Sequence, residues 1–284
     1  MNILLFGASG RLGTAFQRVL PEHAYLTPDG TEVDLTKRDI VERYIADHPV
    51  DWIINCAAYN DVNGAELQPD LANALNGYGP GFIAEATAKL ETPFIHFSTD
   101  YVFDGTTTNG YTETDTPNPE SVYAQSKRLG EMEVLEKHPA QGYVIRTSRL
   151  YGTPATDPKA KKSFVEIVIS LAKEKDAFDI SAAEVSAPTL VDDIVRHVDA
   201  HIFTKPAPGI YHMANSGGCS WFEWATAIAD ILKLPVTITP RDPALNIQTV
   251  KKPAHSILLS TKIAPMRPWR DALEDFLLHQ TEIR

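Results

Sequence analysis

Apolar residues fall in short unbroken runs set between longer stretches with helical periodicity. The run at residues 2–6 ends at Gly7, and Leu12, Phe16, Val19 and Leu20 then share one side of a helix. Continuous apolar runs of this length are the pattern of parallel strands covered on both faces. Further runs predict strands over 23–27, 50–57, 94–103 and 143–147, with shorter ones at 209–213 and 236–239. Helices are predicted over 37–48 with Thr36 as N-cap, over 69–89 with a bend at Gly77–Gly81, and from Tyr123 through Leu129, Met132 and Leu135. Others cover 190–203, the stretch after Ser220 with its Trp221–Phe222–Trp224 cluster, and 269–278. Alternating strands and helices predict an α/β chain built on a doubly wound parallel sheet.

The first strand-to-helix junction reads Gly7-Ala8-Ser9-Gly10-Arg11-Leu12-Gly13. Strand, glycine turn and helix N-terminus together present backbone N–H groups to a pyrophosphate, and the small residues permit close approach. The junction therefore predicts a Rossmann-type dinucleotide site, although its spacing is G-x-x-G-x-x-G rather than G-x-G-x-x-G. Asp29 and Asp34 follow about 20 residues later, where a carboxylate meets an adenosine ribose. Arg11 and Arg18 would suit a 2′-phosphate instead, so NAD(H) and NADP(H) both remain open.

Composition narrows the picture. Of 284 residues 43% are hydrophobic, enough for a full core, and the formal net charge of −11 argues against nucleic-acid or anionic-membrane partners. Cys56 and Cys219 stand alone, without a C-x-x-C, which suits a reducing compartment. The opening apolar run is too short for a signal peptide or membrane span, so a cytoplasmic protein is expected.

Chemistry gathers at strand ends and on one helix. Tyr123 and Lys127 lie one helical turn apart, and an ammonium beside a phenol lowers the phenol from its reference pKa near ~10, giving a proton donor or acceptor. Thr99, where the fourth strand ends, can donate to a carbonyl or alkoxide oxygen. Asn76 is a candidate supporting group on the 69–89 helix. His197 and His201 face one side of their helix, but no third ligand is evident and no metal site is predicted.

The strings Asn55-Cys56-Ala57-Ala58-Tyr59, Ser98-Thr99-Asp100-Tyr101-Val102-Phe103, Tyr123–Lys127, Arg146-Thr147-Ser148, Ala187-Pro188-Thr189 and Lys252-Pro253-Ala254-His255-Ser256 accompany the glycine loop. With them the chain resembles the extended short-chain dehydrogenases/reductases nearly end to end, and among these the dTDP-4-dehydrorhamnose reductases. The resemblance implies reduction of the C4 ketone of a nucleotide-linked 4-keto-6-deoxyhexose by a nicotinamide hydride. It assigns Tyr123 as general acid, Lys127 as the group that lowers its pKa and holds the nicotinamide ribose, and Thr99 as hydrogen-bond partner of the ketone oxygen. Gly7, Gly10, Arg11, Leu12, Gly13, Asp34, Leu35, Ala57, Ala58, Tyr59 and Asn76 are the cofactor-side candidates. Asp100, Tyr101, Arg149, Glu184 and Lys252 are the substrate-side ones.

Departures from that family cluster on the sugar side. Arg149 replaces a tryptophan, Ala183-Glu184-Val185-Ser186 replaces a segment with an Asp-Gln pair, Gly64 replaces a charged residue, and a longer basic stretch occupies 154–164. Ala15 stands where some members carry an acidic residue that helps bind a dimer-bridging metal. These changes motivate two alternatives, a reductase of another nucleotide-ketosugar and a non-catalytic nucleotide-binding regulatory subunit of the same fold. The expected organisation is a dinucleotide-binding domain over 1–150, rejoined by about 185–215, and a substrate-binding region from 151–184 and 216–284, in a monomer or homodimer.

Overall fold

In the computed structural model, which describes residues 1–157, 160–242 and 250–279, the chain opens with β1 (Asn2–Phe6), α1 (Arg11–Val19), β2 (Ala24–Leu26), α2 (Arg38–Asp47) and β3 (Trp52–Asn55). Next come α3 (Val62–Leu67), α4 (Pro69–Asn73), α5 (Gly79–Lys89), β4 (Phe94–Thr99), α6 (Val122–Lys137) and β5 (Gly142–Thr147). The second half holds β6 (Leu150–Tyr151), α7 (Phe164–Glu174), β7 (Ala177–Ile180), β8 (Val185–Ser186), β9 (Thr189–Leu190), α8 (Val191–His197) and β10 (Gly209–His212). It closes with β11 (Asn215–Ser216), β12 (Cys219–Ser220), α9 (Trp221–Leu232), β13 (Thr237–Pro240), β14 (Met266–Pro268) and α10 (Trp269–His279).

Six strands form one parallel sheet in the order β10-β5-β4-β3-β1-β2. Strand order reverses between β1 and β3, which opens a crevice at their carboxyl ends. The period-2 alternation of each strand divides its side chains between two cores. Ile3, Leu5, Ile54, Ile95 and Phe97 pack under α1 and α8. Leu4, Phe6, Ile53, Phe94 and Val144 pack under α2, α5 and α6. A separate core joins Val165 and Ile169 of α7, Trp224 and Ile228 of α9, and Leu273 and Phe276 of α10. Among the described residues no helix is long and apolar enough to cross a membrane.

Several boundaries differ from the sequence-based expectations. The 94–103 run stops being a strand at Thr99 and turns through a single 3-10 turn at Asp100–Val102. Thr36 does not cap α2; it lies inside a turn closed by Asp34, whose Oδ1 accepts from the Thr36 N–H at 2.9 Å and from its hydroxyl at 2.7 Å. The 69–89 helix contains a π-helical turn at Ala74–Tyr78, and a second π-helical turn at Val198–Ile202 continues α8. Ser220 does cap α9, in a reciprocal capping box with Glu223.

Candidate active site

The glycine loop needs its glycines. Gly7 has φ +74°, and a Cβ there would stand 2.5 Å from the Ala57 amide nitrogen. At Gly13 a Cβ would meet the Gly7 carbonyl oxygen at 2.3 Å and the Ala8 Cα at 2.6 Å, so this glycine lets α1 sit against the loop. Gly13→Ala should therefore destabilise the fold by about 1–3 kcal/mol and weaken dinucleotide binding, measured by urea unfolding and by titration.

A cavity of about 400 Å³ lies against the loop, lined by Gly7, Ala8, Ser9, Asp34, Leu35 and Ala57 among others. A backbone cradle that no side chain could share, beside the N-terminus of α1, fits a dinucleotide pyrophosphate. Gln17, Thr27, Leu75 and Thr156 also line the cavity and carried no motif by which sequence could have marked them. Neither Arg11 nor Arg18 lines this cavity. Arg11 donates to the Gly152 carbonyl at 2.8 Å, the Thr153 carbonyl at 3.0 Å and Glu166 Oε2 at 2.7 Å, and Arg18 pairs with Asp192. Each has found a carboxylate across a helix contact.

The catalytic candidates converge from β4 and α6. Ser121 caps α6 through the Ala124 N–H at 3.2 Å, which fixes the first turn and with it Tyr123. Lys127 is buried and its Nζ donates to the Phe97 carbonyl at 2.5 Å. Burial lowers the lysine to about 8, with the Glu131 charge acting in the opposite direction. Tyr123 is half-buried at the cleft, and loss of solvent pushes its phenol up to about 12, opposed by a hydrogen bond with Thr99. In this arrangement loss of solvent outweighs any lowering of Tyr123 by Lys127, whose ammonium is held by the Phe97 carbonyl.

Supporting groups surround this pair. Asn76, on the π-helical turn, accepts from the Tyr59 N–H at 2.8 Å and donates to the Tyr59 carbonyl and the Ser126 hydroxyl, both at 3.0 Å. The Ser126 hydroxyl in turn donates to the Tyr123 carbonyl at 2.7 Å, so Asn76 ties the loop after β3 to the turn that carries Tyr123. Asn55 does similar work where β3 ends, accepting from the Ala57 N–H at 3.0 Å. Thr99 donates to Asp100 Oδ1 at 3.1 Å and accepts from the Tyr101 N–H at 3.2 Å. Burial pushes the Asp100 carboxyl up, against hydrogen bonds from Ser256 at 2.6 Å and Ser148 at 2.8 Å. Asp100 is therefore a buried clasp between the ends of β4 and β5 and the distant 250–258 segment. Ser148 and Ser256 gave no signal beyond their place in the strings quoted above.

The substrate-side candidates form a second group. Tyr101 stands edge-on to Tyr123 with ring centroids 6.1 Å apart. Burial raises its phenol, Asp100 and Glu184 add to the shift, and Arg149 opposes it. Arg149, in the left-handed region at φ +41°, donates to the Cys219 carbonyl at 2.7 Å and the Glu184 carbonyl at 2.9 Å, and stacks 4.0 Å above the Trp221 ring. Glu184 accepts from the Trp221 indole N–H at 3.0 Å. Lys252 lies on the segment that enters beside β8, where the Val185 N–H donates to the Ala254 carbonyl at 2.7 Å. Gly64 is packed under Tyr59, its Cβ position 2.6 Å from the phenol oxygen. Of the basic 154–164 stretch, Pro158 and Lys159 lie outside the described residues. Lys161 pairs with Asp61 at 3.2 Å, and the Asp157 N–H donates to the Ser9 carbonyl at 3.1 Å. The His197 and His201 rings lie 5.1 Å apart and tilted at 54°, and among the described residues no three His, Cys, Asp or Glu side chains gather as metal ligands. Ala15 is buried in the core beneath α1.

The family model described as "RmlD substrate binding domain" matches residues 1–282. The chain belongs to this family. It is 33% identical to the spore coat polysaccharide biosynthesis protein SpsK of Bacillus subtilis, over 97% of this chain and 96% of that one. It is 34% identical to a dTDP-4-dehydrorhamnose reductase of Mycolicibacterium smegmatis, over 96% of this chain and 84% of that one. The solved structure of a Bacillus anthracis dTDP-4-dehydrorhamnose reductase in complex with NADP superimposes with a TM-score of 0.91 at 32% identity, covering 98% of this chain and 99% of that one. The fold is accordingly that of the Rossmann-type reductases of this family.

Proposed function

We propose that this chain is an NAD(P)H-dependent oxidoreductase that reduces the C4 ketone of a nucleotide-linked 4-keto-6-deoxyhexose, converting dTDP-4-dehydrorhamnose to dTDP-rhamnose. The observation that carries this assignment is the convergence of Thr99, Tyr123 and Lys127 beside a backbone cradle shaped for a pyrophosphate. A nicotinamide held at the glycine loop would supply the hydride that the carbonyl carbon takes up. Tyr123 holds the proton that the carbonyl oxygen takes up; with its phenol pushed up to about 12, it is protonated at neutral pH and ready to act as an acid. Thr99, held by Asp100 and the Tyr101 N–H at the end of β4, is the hydrogen-bond partner of the same reacting oxygen. Lys127 places a positive charge one turn from the phenol, where it stabilises the phenolate left after proton transfer.

The side of the molecule built on the core of α7, α9 and α10 would take the sugar and nucleotide, where Arg149 and Glu184 are held against Trp221 of α9. Asp100 acts there as an internal clasp rather than as a direct substrate contact, since its carboxylate is occupied by three hydroxyl groups.

Purified protein given dTDP-4-dehydrorhamnose and reduced dinucleotide should oxidise the dinucleotide and form dTDP-rhamnose. Absence of turnover with this and related nucleotide-linked 4-ketosugars would remove the assignment. Because Lys127 loses its charge near pH 8, the rate should fall with a single deprotonation as pH rises through about 8. A rate unchanged well above that point would remove the charged lysine from the mechanism.

A further inference from the structure

The catalytic helix carries a third polar group in line with Tyr123 and Lys127. Glu131 follows Lys127 by four residues on α6, one helical turn further along the same face. It has no exposed surface, and Lys127 keeps only 3%. The Glu131 carboxylate accepts from Ser98 Oγ at 2.6 Å, from Arg146 Nε and Nη2 at 2.8 and 2.7 Å, and from Arg128 Nη1 at 2.8 Å. Ser98 is the middle one of the last three residues of β4. Its neighbours carry groups of the site: the Phe97 carbonyl holds the Lys127 ammonium at 2.5 Å, and Thr99 hydrogen-bonds Tyr123. A bond from the middle residue to a buried carboxylate of α6 therefore fixes how both neighbours meet that helix.

Charge adds an independent constraint. The other titratable groups facing Lys127 carry no charge at neutral pH. Burial pushes the Cys56 thiol up after β3 and the His96 imidazole down on β4, and the Tyr123 phenol is protonated. Asn76, which reaches α6 from the π-helical turn, is uncharged. Arg146 on β5 and Arg128 on α6 both turn their guanidiniums onto Glu131. Glu131 is thus the anion that acts on the ammonium and opposes its loss of solvent. Without it, two guanidiniums and an ammonium would share this region with no counter-charge, and only the ammonium can shed its proton.

We propose that Glu131 is a positioning residue of the reaction: through Ser98, and as the buried counter-charge of α6, it holds the Thr99 hydroxyl and the Lys127 ammonium in their places around Tyr123. This rests on the reductase assignment above and adds to it a group with no surface open to a ligand.

Two substitutions separate the two contributions. Glu131→Gln keeps the length of the side chain and an acceptor for Ser98 but removes the charge. The alkaline fall of kcat/KM, expected at about 8 in the wild type, should move down by about one pH unit or more, with activity recovering as pH is lowered. Ser98→Ala leaves the charge and cuts the tie to β4; it should lower kcat about tenfold with the alkaline limb unmoved. A merely structural Glu131 would change stability and leave that limb at its wild-type position. The double variant Glu131→Leu with Arg146→Met, which strands fewer buried charges, should show the same displaced limb and serves where Glu131→Gln does not fold. An unmoved limb in the folded Glu131 variants, or wild-type kcat in Ser98→Ala, would overturn the proposal. NMR titration of the Lys127 side chain, assigned by its loss in Lys127→Met, reads the same displacement without turnover. An inactive wild type in which Glu131→Gln still displaces that titration would overturn the reductase assignment alone; one in which it does not would overturn both.

Discussion

Replacing Tyr123 with phenylalanine should lower kcat for the ketosugar about 10²–10⁴-fold, the contribution of a positioned general acid, while the dissociation constant for reduced dinucleotide stays unchanged. The substitution removes one oxygen and keeps the ring that meets Tyr101 edge-on. No neighbour is placed to take over. The Thr99 hydroxyl donates to Asp100, and the Lys127 ammonium donates to the Phe97 carbonyl. Water is a poorer donor in a site that pushes a phenol up by desolvation. Measuring kcat at saturating concentrations of both ligands separates loss of proton transfer from loss of binding. Retention of wild-type kcat would take Tyr123 out of the reaction.

What the sequence makes legible is what depends on local pattern. Continuous apolar runs mark the sheet, because strands buried on both faces have no polar face to show. The glycine loop is legible because close packing at Gly7 and Gly13 admits no other side chain. Tyr123 and Lys127 share a helix, so their relation follows from helical spacing. Interactions between distant segments are another matter. The strand ending in Thr99 stops early because Asp100 turns inward to Ser148 and to Ser256, 156 residues away in the chain. Arg11 and Arg18 read as phosphate ligands, and only the folded chain reveals Glu166 and Asp192 as their partners. Thr36 reads as a helix cap, but Asp34 captures its N–H and hydroxyl before the helix begins. Helical spacing predicts a lowering of Tyr123 by Lys127, but spacing cannot show the burial that outweighs it or the strand carbonyl that holds the ammonium.

Among stability effects the largest is expected at a group that carried no motif. Glu131 lies one turn beyond Lys127 on α6 and is fully buried. It accepts from Ser98 Oγ at 2.6 Å, from Arg146 Nε at 2.8 Å and Nη2 at 2.7 Å, and from Arg128 Nη1 at 2.8 Å. Ser98 is on β4 and Arg146 on β5, so a single carboxylate fastens the catalytic helix to the two strands beneath it. Glu131→Ala should cost about 3–5 kcal/mol, because Arg146 stays buried with Arg128 and no counter-charge. Burial raises the Glu131 carboxyl, but Arg146, Ser98 and Arg128 outweigh it, and the folded pKa lies below the unfolded value. The sign follows: the stabilisation is complete above the unfolded pKa near ~4.5 and disappears as pH falls through the lower folded value. Urea unfolding at several pH values should therefore show the wild type converging on Glu131→Ala in acid. Pairing Glu131→Leu with Arg146→Met should recover much of the loss by removing both charges together. A single-variant cost under about 1 kcal/mol, within the range of exposed ion pairs, would mean that α6 is held against the sheet by its apolar contacts alone.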